Sequence, residues 1–270
     1  MNLTPSAISH SIAAMEREVG FQLFHRNKQG VELTSNGEAL YPQIRQLLNN
    51  GEVLQQTIDQ MNGLNKGTVK LGTFNSVCIH WIPEIVTSFQ KKYPGITVEI
   101  FEGTYDDIIN WLKTGAVDLG FLSTSCEKEM PMVPLYDDPL VCVVPKKLKT
   151  KHKDYITLDE MMEHMFVIQR EACDADIQKF IQKNKLAVRS HCFVIDDQST
   201  IAMVESGFGI SIMPELTAQK AADQVNVYPI FPKDYRVIGL ACFDKKALSP
   251  AAAQMYNHIV EMFRKKPVNE

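Results

Sequence analysis

The 270-residue chain has no run of 18 apolar residues, so no helix-type membrane span is read in it. Its opening, MNLTPSAISHSIAAMEREVG, has no basic stretch followed by an apolar one, which excludes a secretory signal there. There is no CxxC pair. The cysteines, Cys78, Cys126, Cys142, Cys173, Cys192 and Cys242, are scattered, which argues for buried thiols against a zinc site or a disulfide framework. Positive charge is not in excess: 28 Lys and Arg against 32 Asp and Glu leave a net charge of −4. Any nucleic-acid binding must therefore come from a local motif. No histidine cluster has metal-ligand spacing, and His164 beside Glu163 and Glu160 reads as a solvated helix face. No Ser-His-Asp or paired-carboxylate arrangement stands out. The expectation is a non-enzymatic, cytoplasmic protein without catalytic residues, metal or cofactor. What is present is ordinary globular composition, 45% hydrophobic and 22% charged, with chain enough for about two domains.

The N-terminal stretch is patterned in detail. Thr4-Pro5 is a good helix start, with Thr as N-cap and Pro in the first turn, and Gly20 is a natural stop. Between them Ile8, Ile12, Met15 and Val19 form one helical stripe. Pro5, Ser6, Ser9 and His10 leave a small polar first turn, suited either to solvent or to a DNA groove. Gln22–Arg26 and Val31–Leu33 read as two short strands around the turn Asn27-Lys28-Gln29-Gly30. A helix followed by a basic hairpin is the outline of a winged helix. Thr34 caps a further helix, with Glu38 at its positive end. There Leu40, Ile44, Leu47, Gly51, Leu54, Ile58 and Met61 recur at alternating spacings of four and three, the seam of a coiled coil. Pro42 is expected to bend this helix or leave its first turn poorly formed. Packing against a second copy is the economical use of the seam, which predicts a homodimer or homotetramer.

Leu3-Thr4-Pro5-Ser6-Ala7-Ile8-Ser9, then Ile12, Met15-Glu16, Gly20, Leu23-Phe24 and Arg26, then Val31–Thr34 and Gly37–Leu40 resemble the DNA-binding region of LysR-type transcriptional regulators. The resemblance runs through the recognition helix, the wing and the start of the linker helix. It implies Thr4, Pro5, Ser6, Ser9 and His10, with Arg26 and Lys28 of the wing, as the residues facing DNA. In that family a scanning helix and the first helix of the helix-turn-helix come before the recognition helix. The expectation here is a truncated winged domain whose stripe is uncovered. In residues 1–34, Arg17, Arg26 and Lys28 are balanced by Glu16, Glu18 and Glu32, so weak DNA binding is expected.

Residues 67–270 alternate strand and helix. Val69–Phe74, a helix from about Val77 to Tyr93, Ile96–Ile100, a helix Asp106–Lys113 and Val117–Phe121 read as β-α-β-α-β. The pattern recurs: strand Met165–Ile168, helix 173–184, strand Cys192–Ile195, helix 198–206, strand Ile210–Met213. Leu135–Pro145 and Arg236–Phe243 are extended, apolar crossings between two lobes, and helix 249–264 returns to the first. The expected architecture is α/β: a remnant winged helix (1–34), a linker and dimerisation helix (35–65), and a two-lobed, type 2 periplasmic-binding-protein-like domain. Its lobes are 66–145 with 244–270, and 146–243. The LysR-type effector domain has that fold, and Val204, Gly207-Phe208-Gly209-Ile210 and Pro214 resemble its G-x-G-I…P signature. Because that glycine pair closes a helix and opens a strand, it is not a dinucleotide loop.

In such lobes ligands meet the C-terminal ends of strands. Asn75 and Ser76, Ser123 and Thr124, Gln169, and Asp197 with Thr200 are the expected effector-binding residues, their hydroxyls and amides suited to a carboxylate. The alternative for Ser76 and Thr200 is mere helix capping. The function implied is a DNA-binding regulator sensing a small, anionic metabolite. The alternatives are a solute-binding protein of the transport class, against which the winged-helix remnant speaks, and a redox-sensing regulator. The latter would use Cys78, Cys126, Cys173 or Cys192, the first favoured by its place near a helix start.

Overall fold

The computed structural model describes residues 4–27, 30–169 and 175–264. Helix α1 (Pro5–Val19) starts where the Thr4 hydroxyl accepts from the Ala7 N–H at 3.3 Å and ends at Gly20 with φ of 84°. On its stripe Ile8 and Met15 are exposed, while Ile12 and Val19 are half-buried. The hairpin pairs β1 (Phe24–Asn27) with β2 (Gly30–Leu33). Gln22 and Leu23 lie outside it. Instead the N–H groups of Leu23 and Phe24 donate to the Glu16 carboxylate, at 2.8 and 3.1 Å, and tie the wing to α1. Helix α2 (Ser35–Met61) is capped by Thr34, which accepts from the Gly37 N–H at 3.0 Å. Gly37 is required there: a Cβ would stand 2.2 Å from the Leu23 carbonyl. The helix runs unbroken through Pro42, which costs it one hydrogen bond and no turn.

The first lobe is built from β3 (Gly67–Thr73), α3 (Asn75–His80), α4 (Ile82–Lys92), β4 (Ile96–Glu102), α5 (Tyr105–Thr114) and β5 (Leu119–Ser123). Its strands are parallel in the order β4-β3-β5. The single helix expected from Val77 to Tyr93 is two, broken at Trp81. Pro83 explains the break: inside a continuous helix its ring would clash with the Ile79 carbonyl, whereas in the first turn of α4 it is harmless.

Strand β6 (Met132–Pro145) leaves this lobe and enters the second. There β7 (Ile156–Thr157), α6 (Leu158–Met162), β8 (Phe166–Gln169), α7 (Ala175–Lys183), β9 (Ser190–Val194), α8 (Asp197–Glu205), β10 (Ser211–Pro214), α9 (Glu215–Ala218) and β11 (Val225–Phe231) follow. The glycine pair lies between α8 and β10, with Gly207 at φ 87°. A Cβ on Gly209 would stand 2.3 Å from the Met165 carbonyl. Strand β12 (Tyr235–Ala241) returns between β5 and β6, and α10 (Pro250–Arg264) packs back on the first lobe.

The unbroken apolar run Leu140–Val144 reads as it does because both faces of the strand are covered. Leu140, Cys142 and Val144 join one core with Phe166, Phe180 and Ile210, while Val141 and Val143 join another with Ile201 and Val204. Ile238–Ala241 already pack in the first lobe with Leu71, Phe121 and Met255. The changeovers therefore fall where Tyr235 pairs Pro139 and Arg236 pairs Asp138, earlier in both strands than the limits at 145 and 243 read from sequence.

Candidate functional site

Two paired strands connect the lobes, and the residues at their changeover are charged. Asp138 on β6 is fully buried and Arg236 on β12 nearly so. Arg236 donates from Nε to Asp138 Oδ2 at 2.9 Å, and its terminal nitrogen lies 2.8 Å from the same oxygen. Asp138 Oδ1 accepts from the Leu216 N–H at 2.9 Å, at the start of α9. Burial raises the Asp138 pKa, with Arg236 opposing. Burial acts against the Arg236 charge, but the Asp138 and Asp176 carboxyl groups oppose it and its pKa rises. The rest of the guanidinium faces the first lobe. It donates to Ser76 Oγ at 2.7 Å and to the Tyr105 hydroxyl at 3.3 Å, and it lies 5.0 Å over the Phe74 ring. Burial holds the Tyr105 phenol well above its ordinary pKa, so it is a neutral donor. It donates to Asp176 Oδ2 at 3.0 Å, and Ser123 donates to Asp176 Oδ1 at 2.6 Å.

Ser76 and Ser123 are thus brought into one network, through Arg236, Tyr105 and Asp176. Gln169, Asp197 and Thr200 form a second group on the other lobe, where Gln169 Nε2 donates to Asp197 Oδ1 at 2.6 Å and to Thr200 Oγ1 at 3.4 Å. Burial raises the Asp197 pKa, while the Gln169 bond and the Arg236 charge oppose it. Asn75 is not brought in; it donates to Glu102 of its own lobe at 3.2 Å. Ser76 and Thr200 are not caps. Phe74 and Asp196 hold those positions, Asp196 accepting from the Ser199 N–H at 2.8 Å. Thr124 lies instead on a cavity of about 170 Å³ beside the network, lined also by Ser125, Asp176, Lys179, Tyr235 and Arg236.

Hydroxyls and amides, with the Asp197 carboxyl, are the groups expected to receive a ligand, and no cation is among them; the structure places a full guanidinium there. Sequence reasoning missed Arg236, Asp138, Tyr105 and Asp176. The available signal was charge in two otherwise largely apolar, extended crossings, Asp137 and Asp138 in the first and Arg236 in the second. The solvated face expected around His164 is also wrong at Glu160, which is buried and accepts from the Lys151 N–H at 2.6 Å. Cys78 gains nothing from its helix: burial, then Glu102, raise its thiol pKa, and burial does the same at Cys126 and Cys142. Cys173 lies outside the described residues, and the other cysteines are free. On α1, Pro5, Ser6, Ser9 and His10 are exposed, and Thr4 is exposed beside them while serving as the cap. Arg26 is on β1 of the wing, and Lys28 lies outside the described residues.

The model of the LysR substrate binding domain matches residues 62–264, and that of the bacterial regulatory helix-turn-helix protein, lysR family, matches residues 1–38. The chain belongs to the LysR family of transcriptional regulators. The Bacillus subtilis HTH-type transcriptional regulator YvbU is 26% identical over 266 residues, covering 97% of this chain and 91% of its own. The effector-binding domain of QuiR in complex with shikimate is 26% identical with a TM-score of 0.66, over 74% of this chain and 98% of that one. A full-length OxyR point variant from Pseudomonas aeruginosa shares the fold at 20% identity, with a TM-score of 0.73 over 99% of this chain and 91% of that one. No helix among the described residues is long and apolar enough to cross a membrane.

Proposed function

We propose that this LysR regulator senses a small anionic metabolite between its lobes, in the cytoplasm and without catalysis. Ser76, Ser123, Thr124, Gln169, Asp197 and Thr200 are the effector-binding residues around Arg236, and Asn75, turned to Glu102, is outside the set. DNA is met by Thr4, Pro5, Ser6, Ser9 and His10 of α1 and by Arg26 and Lys28 of the wing. Two or more copies are held through α2. The observation that carries the reading is Arg236, a buried guanidinium bonded to Ser76 at 2.7 Å where the lobes join. A charged group so placed favours an anionic ligand. Shikimate, which QuiR binds, is a carboxylate of the same class. A ligand with different affinity for two lobe arrangements shifts their populations by that difference, which gives it a route to the DNA-binding segment.

A thermal-shift screen of carboxylate and phosphate metabolites tests this, since a ligand at 100 times its dissociation constant adds about 2.7 kcal/mol of stability. The expected hit loses about 10- to 150-fold in affinity in Ser76→Ala, the worth of one hydrogen bond to a charged ligand. It also changes the gel-shift affinity of the chain for its operator. A hit indifferent to Ser76→Ala, Gln169→Ala and Thr200→Ala alike moves the site elsewhere.

A further inference from the structure

The two hydroxyls that converge on the first lobe's side of the cleft are already occupied, and by a carboxylate. Asp176 belongs to α7 of the second lobe, yet its Oδ1 accepts from Ser123 of β5 at 2.6 Å and its Oδ2 accepts from Tyr105 of α5 at 3.0 Å. Each oxygen takes one neutral O–H donor, and the Arg236 guanidinium stands behind, 3.3 Å from the same Tyr105 oxygen. This is how a protein binds a free carboxylate: two directed donors and a nearby cation that is not itself spent on it. Asp176 also borders the open cavity of about 170 Å³, so the position it fills can be reached from solvent.

We propose that Tyr105 and Ser123, backed by Arg236, form a carboxylate receptor on the first lobe, and that Asp176 is its intramolecular occupant, a built-in competitor that bridges the lobes until a ligand's carboxylate takes its place. The proposal rests on the reading of an anionic effector and adds to it the atoms that receive the anion and the group it displaces. Asp176 then sets a threshold. A weakly held carboxylate fails to displace a tethered one, whose effective concentration is high, and only a ligand with further contacts, at Gln169 or Thr200, succeeds. Tyr105 is the specificity residue that sequence reasoning left out, and Ser123 its partner.

The test needs no knowledge of the effector. Removing the occupant empties the receptor, and a small free carboxylate then fills it. In Asp176→Ala, sodium acetate at about 100 mM is expected to raise the Tm by about 2–4 °C over sodium chloride at equal ionic strength, as a ligand a few times above its dissociation constant does for a protein of this size. Wild type shows no such difference, because its receptor is filled. The response disappears when Tyr105→Phe and Ser123→Ala are added. An acetate effect no larger in Asp176→Ala than in wild type overturns the proposal, as does one that survives loss of both hydroxyls. Should Asp176→Ala not fold, Asp176→Ser also withdraws the carboxylate from the Ser123 and Tyr105 hydroxyls while keeping a small polar side chain, and the same comparison with wild type applies. Stabilisation of wild type by methylammonium instead of acetate would make Asp176 a cation receptor and overturn the proposal too. Failure here leaves the metabolite screen standing, and a failed screen leaves the acetate result standing, so the two readings fail separately.

Discussion

Helices α2 and α10 both lie against the first lobe and both carry an apolar stripe, but they spend it differently. In α10 the apolar residues Ala251, Ala252, Met255, Tyr256, Ile259, Val260 and Phe263 are all buried. Their spacing alternates between one and three, a broad face that covers a sheet. In α2 the stripe alternates between four and three, a narrow seam. Leu47, Leu54 and Met61 on it are 72%, 63% and 82% exposed. The helix holds its own body through polar residues on another side. Asn49 donates to the Gly115 carbonyl at 2.6 Å, Gln56 to the Thr68 carbonyl at 3.3 Å, and Glu52 pairs Lys70 at 3.2 Å. The difference teaches that amphipathicity alone does not say what a helix packs on; the width of the stripe does.

The sharpest way to break this comparison is to charge the seam. Leu47→Glu with Leu54→Glu places carboxylates where a partner helix would bury them, at a large cost. The expected outcome in light scattering is a fall to the 30.5 kDa of one chain. The effector domain should keep its melting temperature, since neither side chain is buried within the chain. An unchanged mass would mean that the seam holds nothing.

The reciprocal change belongs on α10. Ile259 is fully buried in the first-lobe core, so Ile259→Ala removes packing and leaves a cavity, for about 2–5 kcal/mol of lost stability. Denaturant unfolding is expected to show the loss, while the mass in solution stays that of the wild type. A smaller assembly in this variant would mean that the two helices are coupled and the contrast between them false.

Periodicity made most of the architecture legible, including the repeated β-α-β-α-β order, the hinge strands and the return of the last helix. Local rules carried the caps, as at Thr4, Thr34 and Gly20. Where the reading slipped locally, the signal was present: Pro83 marks the break between α3 and α4. The site was only half legible. Strand ends point to Ser76, Ser123 and Gln169, because the parallel topology fixes where they emerge. Nothing local pairs Arg236 with Asp138, which lie 98 residues apart, or brings Asp176 to Ser123 across 53 residues. Those contacts follow from how the lobes close, which is set by packing of the whole chain. For the cysteines the local rule misled: a helix start lowers a thiol pKa, but burial next to Glu102 outweighs it at Cys78.

The finest probe of the two regions is one substitution made in both. Thr34 caps the exposed α2, and its hydroxyl donates to the Gln22 carbonyl at 2.7 Å, pinning the wing. Thr104 caps α5, a helix buried through Ile108, Ile109 and Leu112. Its Oγ accepts from the Asp107 N–H at 3.2 Å, and Asp107 Oδ2 accepts from the Thr104 N–H at 2.9 Å, a reciprocal box. Each Thr→Ala change is expected to cost about 0.5–2 kcal/mol of helix stability. In α5 the loss passes into the lobe through its packed face and lowers the Tm of the effector domain. In α2 it stays local, visible as faster amide exchange at Gly37 and in the wing with the Tm unmoved. Acid separates the two further. Bonds from the Thr104 hydroxyl and then its backbone N–H hold the Asp107 carboxyl below its usual 3.8. A carboxylate whose folded pKa is depressed contributes stability above its unfolded value and loses it as pH falls through the folded one. The Tm gap between wild type and Thr104→Ala is therefore expected to be full at neutral pH and to narrow below 3.8. The Thr34→Ala change involves no carboxylate at the cap, so its exchange rates, corrected for intrinsic pH dependence, should show no such narrowing. A Thr104→Ala gap of equal size at both pH values would remove Asp107 from the account of how α5 is held.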